Sequence, residues 1–300
     1  MTKRALTEAE RAERRRADRE RLDAAARALL SSDGWRQWVR VRSSNGLSRY
    51  SFHNQLLIAL QCPDATYVAG FRAFLDLNRC VRKGERAIRI LAPMSVRAHS
   101  ERSHRDAETA ADESRRMVFR AVSVFDVSQT DPLPGREPLP LQPPSQPLEG
   151  DSHAHLFAPL QQLARELGYV VHTRALDGPA DGRCDATKKV IVVNAHLSAN
   201  ARVRVLVHEI AHALGVGYGE YGRSRAEVLV DTVTFVVCGA VGLDTSASSV
   251  PYVAGWGEHG ELDAIRGFAE TIDRLARRIE DALTPNEEPA SAEGRAEVAA

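Results

Sequence analysis

Apolar residues in the first sixty positions recur at the spacing of helix faces. Residues 5–30 combine strong helix formers with charges of both signs, and their apolar residues gather at the end of the segment. Two further apolar stripes lie on either side of the turn sequence SSNGLS, one around Trp35 and Trp38 and the other ending at Leu60. We therefore predict a solvated first helix followed by two packed helices.

The pattern changes to strand-like alternation in the next part of the chain. β-Branched and apolar residues alternate or cluster in ATYVAGF, RAIRILAPM and MVFRAVSVFDV, which predicts short strands. The last two strands are separated by residues 95–116, a polar, charge-rich insert with almost nothing to bury. We expect this insert to be a mobile loop.

Proline separates the front of the chain from the back. Residues 131–151 read DPLPGREPLPLQPPSQPLEGD, and their seven prolines predict an extended linker rather than a helix or strand. Beyond the linker, apolar periodicity predicts helices at 156–167, 199–214, 223–241 and 261–283, and strands at 169–173 and 189–193.

These elements predict an α+β chain of two domains joined by the proline-rich linker. The predicted segments are an N-terminal charged helix over 1–30, a small mixed domain over 31–130, the linker over 131–151, a second domain over 152–283 and a disordered tail over 284–300.

The charges are unevenly distributed although the formal net charge is zero. Residues 31–99 hold 11 Arg or Lys against 4 Asp or Glu, whereas residues 151–283 hold 13 against 17. The four cysteines form no Cys-x-x-Cys pair, which indicates reduced thiols, and no run of about 18 apolar residues predicts a membrane span. We expect a cytoplasmic protein with a basic front half.

The sequence LVHEIAHALG places two histidines four positions apart on a predicted helix. Because residues i and i+4 share a helix face, His208 and His212 can offer two imidazole nitrogens to one ion. Glu209 is turned to the side where a bound water would sit. A catalytic zinc site also needs a third protein ligand and an open position, so this motif alone predicts only a metal-binding helix.

Two acids with the same spacing follow on the next predicted helix, in RAEVLVD. Glu227 can be the third ligand, and Asp231 can accept the free ring N–H of a ligand histidine. The alternative is that both acids are ordinary solvent-facing residues. We predict one Zn²⁺ ion held by His208, His212 and Glu227, with another divalent metal as the alternative.

In a catalytic site, Glu209 would take the proton of the attacking water and pass it to the leaving amine. A donor for the developing oxyanion would also be needed, and Tyr218, Tyr221 and Tyr252 are candidates. A metal site without turnover is the alternative.

Cationic and aromatic side chains are interleaved through the basic front half, as binding of single-stranded nucleic acid requires. The residues are Arg36, Arg40, Arg42, Arg49, Arg72, Arg79, Arg82, Lys83, Arg86 and Arg89 with Trp35, Trp38, Tyr50, Phe52, Tyr67, Phe71 and Phe74. The alternative is that the rings form a core and the arginines are only solvated.

Two regions resemble the ArdC-type antirestriction proteins of plasmids and other mobile elements. RYSFHNQLLIALQCPDATYVAGFRAFLDLNRCVRKGERAIRILAP, closed by VFDVSQTDPLP, resembles that family's N-terminal single-stranded-DNA-binding domain. GRCDATKKVIVVN, HEIAHALG, AEVLVD and YVAGW resemble its zincin-like metallopeptidase domain, which is related to the fold of ImmA and IrrE proteins. The resemblance covers roughly residues 31–283.

The resemblance implies a protein that binds single-stranded DNA and one metal ion and that acts in antirestriction. The candidate DNA contacts are Arg49, Tyr50, Asn54, Phe71, Arg72, Arg82 and Lys83. The alternative function is a regulatory zinc metallopeptidase that cleaves a specific protein such as a repressor, and a weaker one is a structural metal domain for protein interaction. The expected partners are single-stranded DNA and either a protein substrate or a restriction enzyme, without a membrane.

Overall fold

The structure is a computed structural model that describes residues 7–44, 47–97, 115–139, 141, 148–178, 180–244 and 262–284. The front half contains helices α1 (Glu8–Ala28), α2 (Ser32–Ser43), α3 (Phe52–Gln61) and α4 (Phe71–Asp76), and strands β1 (Val68–Ala69), β2 (Arg79–Val81), β3 (Ile88–Arg97), β4 (Arg115–Asp126) and β5 (Thr130–Pro132).

The front helices begin where the sequence provides caps. The side chains of Ser31 and Ser51 each accept a hydrogen bond from a backbone N–H of the first turn, at the starts of α2 and α3. On α2 the residues Trp35, Trp38 and Val39 form the buried stripe expected from their spacing. Predicted helices at these positions are therefore present.

A long antiparallel hairpin organises the strands of the front half. β3 pairs with β4 from Ile88 opposite Val124 to Arg97 opposite Arg115, and β1 adds to the other side of β4. β2 and β5 form a separate two-stranded sheet. Strand pairing thus enters both ends of the segment 95–116 that polarity predicted to be a loop, and residues 98–114 lie outside the described residues.

The back half is a small sheet packed against helices. Its elements are α5 (Phe157–Glu166), β6 (Val170–Arg174), β7 (Gly182–Asp185), β8 (Val190–Asn194), α6 (Ala199–Ala213), α7 (Tyr218–Tyr221), α8 (Arg223–Ala240) and α9 (Leu262–Leu283). The strand order is β6-β8-β7, with β6 parallel and β7 antiparallel to β8. The α+β prediction is confirmed, whereas β7 and α7 have no counterpart among the predicted elements.

The two halves are in direct contact and share one continuous hydrophobic core. α2 packs on α8, and the backbones approach so closely that a Cβ atom on Gly239 would lie 2.9 Å from the Cβ of Ser43. Buried Arg42 of α2 also reaches α9. The start of the proline-rich segment belongs to the front half, because β5 pairs with β2 and Leu139 bonds to the carbonyl of Leu77.

In the described parts of the chain, no helix is both long enough and apolar enough to cross a membrane.

Candidate metal centre and nucleic-acid surface

Helix α6 presents two imidazoles toward a common point. The Ser198 side chain caps the helix, and the buried positions along α6 turn His208 and His212 to the same side. Their ring centroids are 5.2 Å apart. This is the arrangement that the four-residue spacing predicts for two ligands on one helix face.

Helix α8 brings the carboxylate of Glu227 to the same point. Glu227 Oε2 lies 3.6 Å from His208 Nε2, and Glu227 Oε1 lies 4.0 Å from His212 Nε2. One ligand atom from each of the three residues lies within 4.8 Å of the others. Atoms held about 2 Å from one tetrahedral ion are roughly 3.3 Å apart, so this set can close on a metal with small side-chain movements.

The remaining ring nitrogens have acceptors that orient the two histidines. His208 Nδ1 lies 3.3 Å from Asp231 Oδ1, and His212 Nδ1 lies 2.9 Å from the carbonyl oxygen of Val216. When both Nδ1 atoms carry the proton, both Nε2 lone pairs face the Glu227 carboxylate and are free for a metal. Sequence reasoning proposed Asp231 but missed Val216, because a backbone carbonyl leaves no residue signature.

These contacts also set the protonation of the histidines. Burial lowers the pKa of His208, but its hydrogen bond to Asp231 and the neighbouring carboxylates outweigh burial and raise the pKa overall. For His212, burial dominates and lowers the pKa, which favours the neutral imidazole that a metal requires.

Glu209 lies beside the histidines with only 6% of its surface exposed. Burial is the main cause that raises the pKa of its carboxyl group to about 7, opposed by the charge of His208 and by a hydrogen bond to the Cys184 backbone. Strand β7 passes directly over this carboxylate, since a Cβ atom on Gly182 would lie 2.7 Å from Glu209 Oε1.

A cleft of about 530 Å³ opens over these groups. Tyr218 lies at its side, half exposed, with its hydroxyl donating to Glu227 and its ring against His212. The hydrogen bond to Glu227, followed by burial, raises the pKa of Tyr218 to about 12, so its hydroxyl stays protonated and can donate. Tyr221 is outside the residues lining the cleft, and Tyr252 lies outside the described residues.

The donor set fits a divalent metal ion. Two imidazoles and one carboxylate are the ligands that zinc and related ions accept, and each imidazole has an orienting acceptor. The cleft over the three ligand atoms leaves room for a water or a substrate group. The arrangement is therefore compatible with either a metal site without turnover or metal-assisted hydrolysis.

The candidate DNA contacts divide by exposure. Phe71 is 47% exposed although it is a large apolar side chain, and its neighbour Arg72 and Lys83 are also exposed. Arg82 is exposed as well but is bonded to Glu85 and to the carbonyl of Ser128. The structure therefore exposes a ring and cations on the surface of the front half.

Three other candidates have structural contacts. Tyr50 is 6% exposed and its hydroxyl donates to the carbonyl of Val68, to which the Arg49 side chain also donates. Asn54 is 8% exposed. Its side-chain amide donates to the carbonyl of Leu91 and accepts from the N–H of the same residue. Tyr50 and Asn54 are thus buried and engaged within the fold, while Arg49 remains partly available at the surface.

In comparisons with known proteins, each half of the chain matches a different family of domains. Residues 25–125 match the family described as the N-terminal domain of anti-restriction factor ArdC, and residues 164–229 match the IrrE N-terminal-like domain. The front of the chain thus carries an ArdC-type N-terminal domain, and the back carries an IrrE-like domain. The second matched range of this ArdC-type chain contains His208, Glu209, His212 and Glu227, but ends before Asp231.

Individual relatives of this ArdC-type chain are distant. An uncharacterized protein of Bacillus anthracis is 24% identical over 288 residues, covering 80% of this chain and 48% of that protein. The chain thus spans about half the length of that relative. Crystal structures of the antirestriction ArdC protein from plasmid R388 are similar in metal-free form at 18% identity and TM-score 0.47 and in Mn(II)-bound form at 17% and 0.44. The match to the metal-free structure covers 78% of this chain and 85% of the R388 chain. The match to the Mn(II)-bound structure covers 79% and 90%.

Proposed function

We propose that this ArdC-type chain is a single-stranded-DNA-binding antirestriction protein of the cytoplasm whose back half holds one Zn²⁺ ion. The observation that carries the metal half is the convergence of His208, His212 and Glu227, with both remaining ring nitrogens oriented. The exposed Phe71, with the cations near it in sequence, supports the DNA half.

Metal content tests the metal half directly. We expect the purified full chain to bind one Zn²⁺ and His208→Ala to lose it. Asp231→Asn should keep the ligands and bind zinc about 10–100-fold more weakly, because the orienting acceptor is impaired. Competition with a chromogenic chelator measures these affinities, with Asp263→Asn on the exposed face of α9 as the control. Unchanged zinc affinity in His208→Ala would exclude the site.

Single-strand binding tests the DNA half. We expect fluorescence polarisation with a labelled oligonucleotide to report an affinity that falls with salt, with a slope of about −0.7 for each phosphate contact. Lys83→Ala should make that slope shallower, and Phe71→Ala should lower affinity at every salt concentration, by about 1–3 kcal/mol if Phe71 stacks on a base. Arg278→Ala, in the back half, is the control. Salt-insensitive or absent binding contradicts the proposal.

A second candidate function is a regulatory metallopeptidase, favoured by the position of Glu209 in the cleft beside the ligands. A bound Zn²⁺ would polarise a scissile carbonyl and lower the pKa of a water. Glu209 would accept a proton from the attacking water at its carboxylate and deliver it to the leaving amine, for which a pKa near the operating pH is suitable. The Tyr218 hydroxyl, which donates to Glu227 in the structure, would exchange that acceptor for the carbonyl oxygen once Glu227 bound the metal.

Glu209→Gln separates the two candidates, because the amide leaves the three ligands in place and removes the proton acceptor. If protection of DNA survives this substitution and survives chelation, turnover is not the function. If protection is lost while zinc content and affinity for single strands are unchanged, the metallopeptidase is favoured.

A further inference from the structure

We infer that the cleft over the metal site selects an acidic peptide, with Arg183 and Arg223 as the residues that recognise its carboxylates. This inference rests on the proposed metallopeptidase function. It names the chemical class of the substrate, which the three ligands and Glu209 leave open.

The two arginines reach the cleft from two of the elements that pack against α6. Arg183 belongs to β7, whose backbone passes over Glu209, and Arg223 is the first residue of α8, the helix that carries Glu227. The guanidinium of Arg223 lies 5.8 Å from the centre of the Tyr218 ring. Both arginines line the cleft, so a bound chain would meet a cation on either element.

Neither arginine forms a close ion pair with a carboxylate of the described residues, although Asp185 lies near enough to Arg183 to interact with its charge. Arg183 and Arg223 form no ion pair there, whereas the nearby Lys188 pairs with Asp185 and Lys189 lies over the Tyr169 ring. The carboxylates lining the cleft are those of Glu209 and Glu227, and a divalent ion would balance both of them. With metal bound, the two guanidinium groups leave the lining of the cleft positive, with Asp185 only partly offsetting Arg183, and this favours an anionic ligand.

A peptide fits these features better than a nucleic acid does. Enzymes that cleave phosphodiesters commonly hold two metal ions, whereas the described residues contain one group of three metal-ligating side chains. A single ion beside a buried glutamate suits attack of water on a carbonyl. The cleft volume of about 530 Å³ is within the usual range of sites for small molecules and short segments.

Peptide hydroxamates test the inference without requiring turnover, because a hydroxamate binds an accessible zinc ion. Three fluorescent tripeptide hydroxamates would differ only in one side chain, which is aspartate, asparagine or lysine. Their dissociation constants are measured by polarisation on the zinc-loaded full chain. We expect the aspartate probe to bind about 3–10-fold more tightly than the asparagine probe, and the lysine probe to bind most weakly.

Charge reversal assigns the preference to the two arginines. Arg183→Glu and Arg223→Glu should each reduce or invert the preference for aspartate, and Arg183→Gln and Arg223→Gln should weaken it less. Arg174→Glu is the matched control, because Arg174 is exposed on β6 at the opposite edge of the same sheet. Zinc content measured for every variant ensures that the metal site is intact.

Each contrary result has a separate meaning. Equal binding of the three probes, or a preference that both reversals leave unchanged, overturns the inference and leaves the metallopeptidase standing. Absence of binding by all three probes to the zinc-loaded chain refutes the metallopeptidase, and the inference with it. Displacement of the aspartate probe by a single-stranded oligonucleotide, lost in Arg223→Glu, would assign the cleft to phosphate and overturn the inference.

Discussion

At the scale of single residues, the position of Glu209 depends on a glycine in another element. Gly182 of β7 lies against α6, where a Cβ atom would meet Val205 and would lie 2.7 Å from Glu209 Oε1. The absence of a side chain at position 182 therefore lets the strand cover the carboxylate and remove it from water. That burial is the main cause of the raised pKa of Glu209.

Gly182→Ala should displace Glu209 or the strand, and we expect it to lower the free energy of unfolding by about 1–3 kcal/mol. Chemical denaturation measures this change. Gly267→Ala is a matched control, because Gly267 lies within α9 with open space around its Cβ position, and alanine there should stabilise the protein by up to about 1 kcal/mol. Equal stability of Gly182→Ala and the wild type would refute the close contact.

At the scale of elements, α3 covers the free edge of β3 with two amide side chains. Asn54 donates to the carbonyl of Leu91 and accepts from its N–H, and Gln61 does the same for Arg89. Pro93, two residues further along the strand, has no N–H to offer. The edge of the hairpin is thus protected from pairing with another strand along this stretch.

Asn54→Leu should lower the free energy of unfolding by about 1–3 kcal/mol, because it leaves the N–H and C=O of Leu91 without partners. Affinity for single-stranded DNA should be unchanged for the folded variant, since this side chain faces β3. Gln162→Leu on the exposed face of α5 is the control and should change stability by less than about 0.5 kcal/mol. Lost DNA affinity with unchanged stability would instead make Asn54 a DNA contact.

At the scale of the whole molecule, a buried charge network joins the two halves. Arg42 is fully buried on α2, and it donates to Asp273 at 2.6 Å and to both carboxylate oxygens of Glu280 at 2.8 Å, all on α9. Gln55 of α3 also donates to Asp273. α9 packs on α8, the helix that carries Glu227. The front half is therefore connected to the metal centre through α9 and α8.

Arg42→Met should lower the free energy of unfolding by about 3–5 kcal/mol, because it leaves two carboxylates without their buried cation. Arg278→Met is the control, since the pair of Arg278 with Glu166 is exposed and should contribute less than about 1 kcal/mol. Calorimetry should record one cooperative transition for the wild type. Two transitions, or equal effects of both substitutions, would contradict a shared interface.

The parts of the site that were predictable are those whose geometry is local. Helix geometry alone places His208 and His212 on one face of α6, and the same spacing places Glu227 and Asp231 on one face of α8. Val216, Gly182 and Cys184 were missed because they act through the backbone, whose contacts depend on how loops and strands pack. Tyr218 was one of three candidate donors, and only packing brought its hydroxyl to Glu227.

The sequence by itself determined the α+β organisation, the family and the metal-binding motif, because periodicity, proline content and helix spacing are properties of neighbouring residues. Tertiary structure alone decided which polar residues turn inward. Asn54 and Tyr50 fit a DNA surface by type but lie against strands, and Arg42 is buried between halves that the proline-rich segment made look separate. Contacts between distant segments decide burial, and no local pattern contains them.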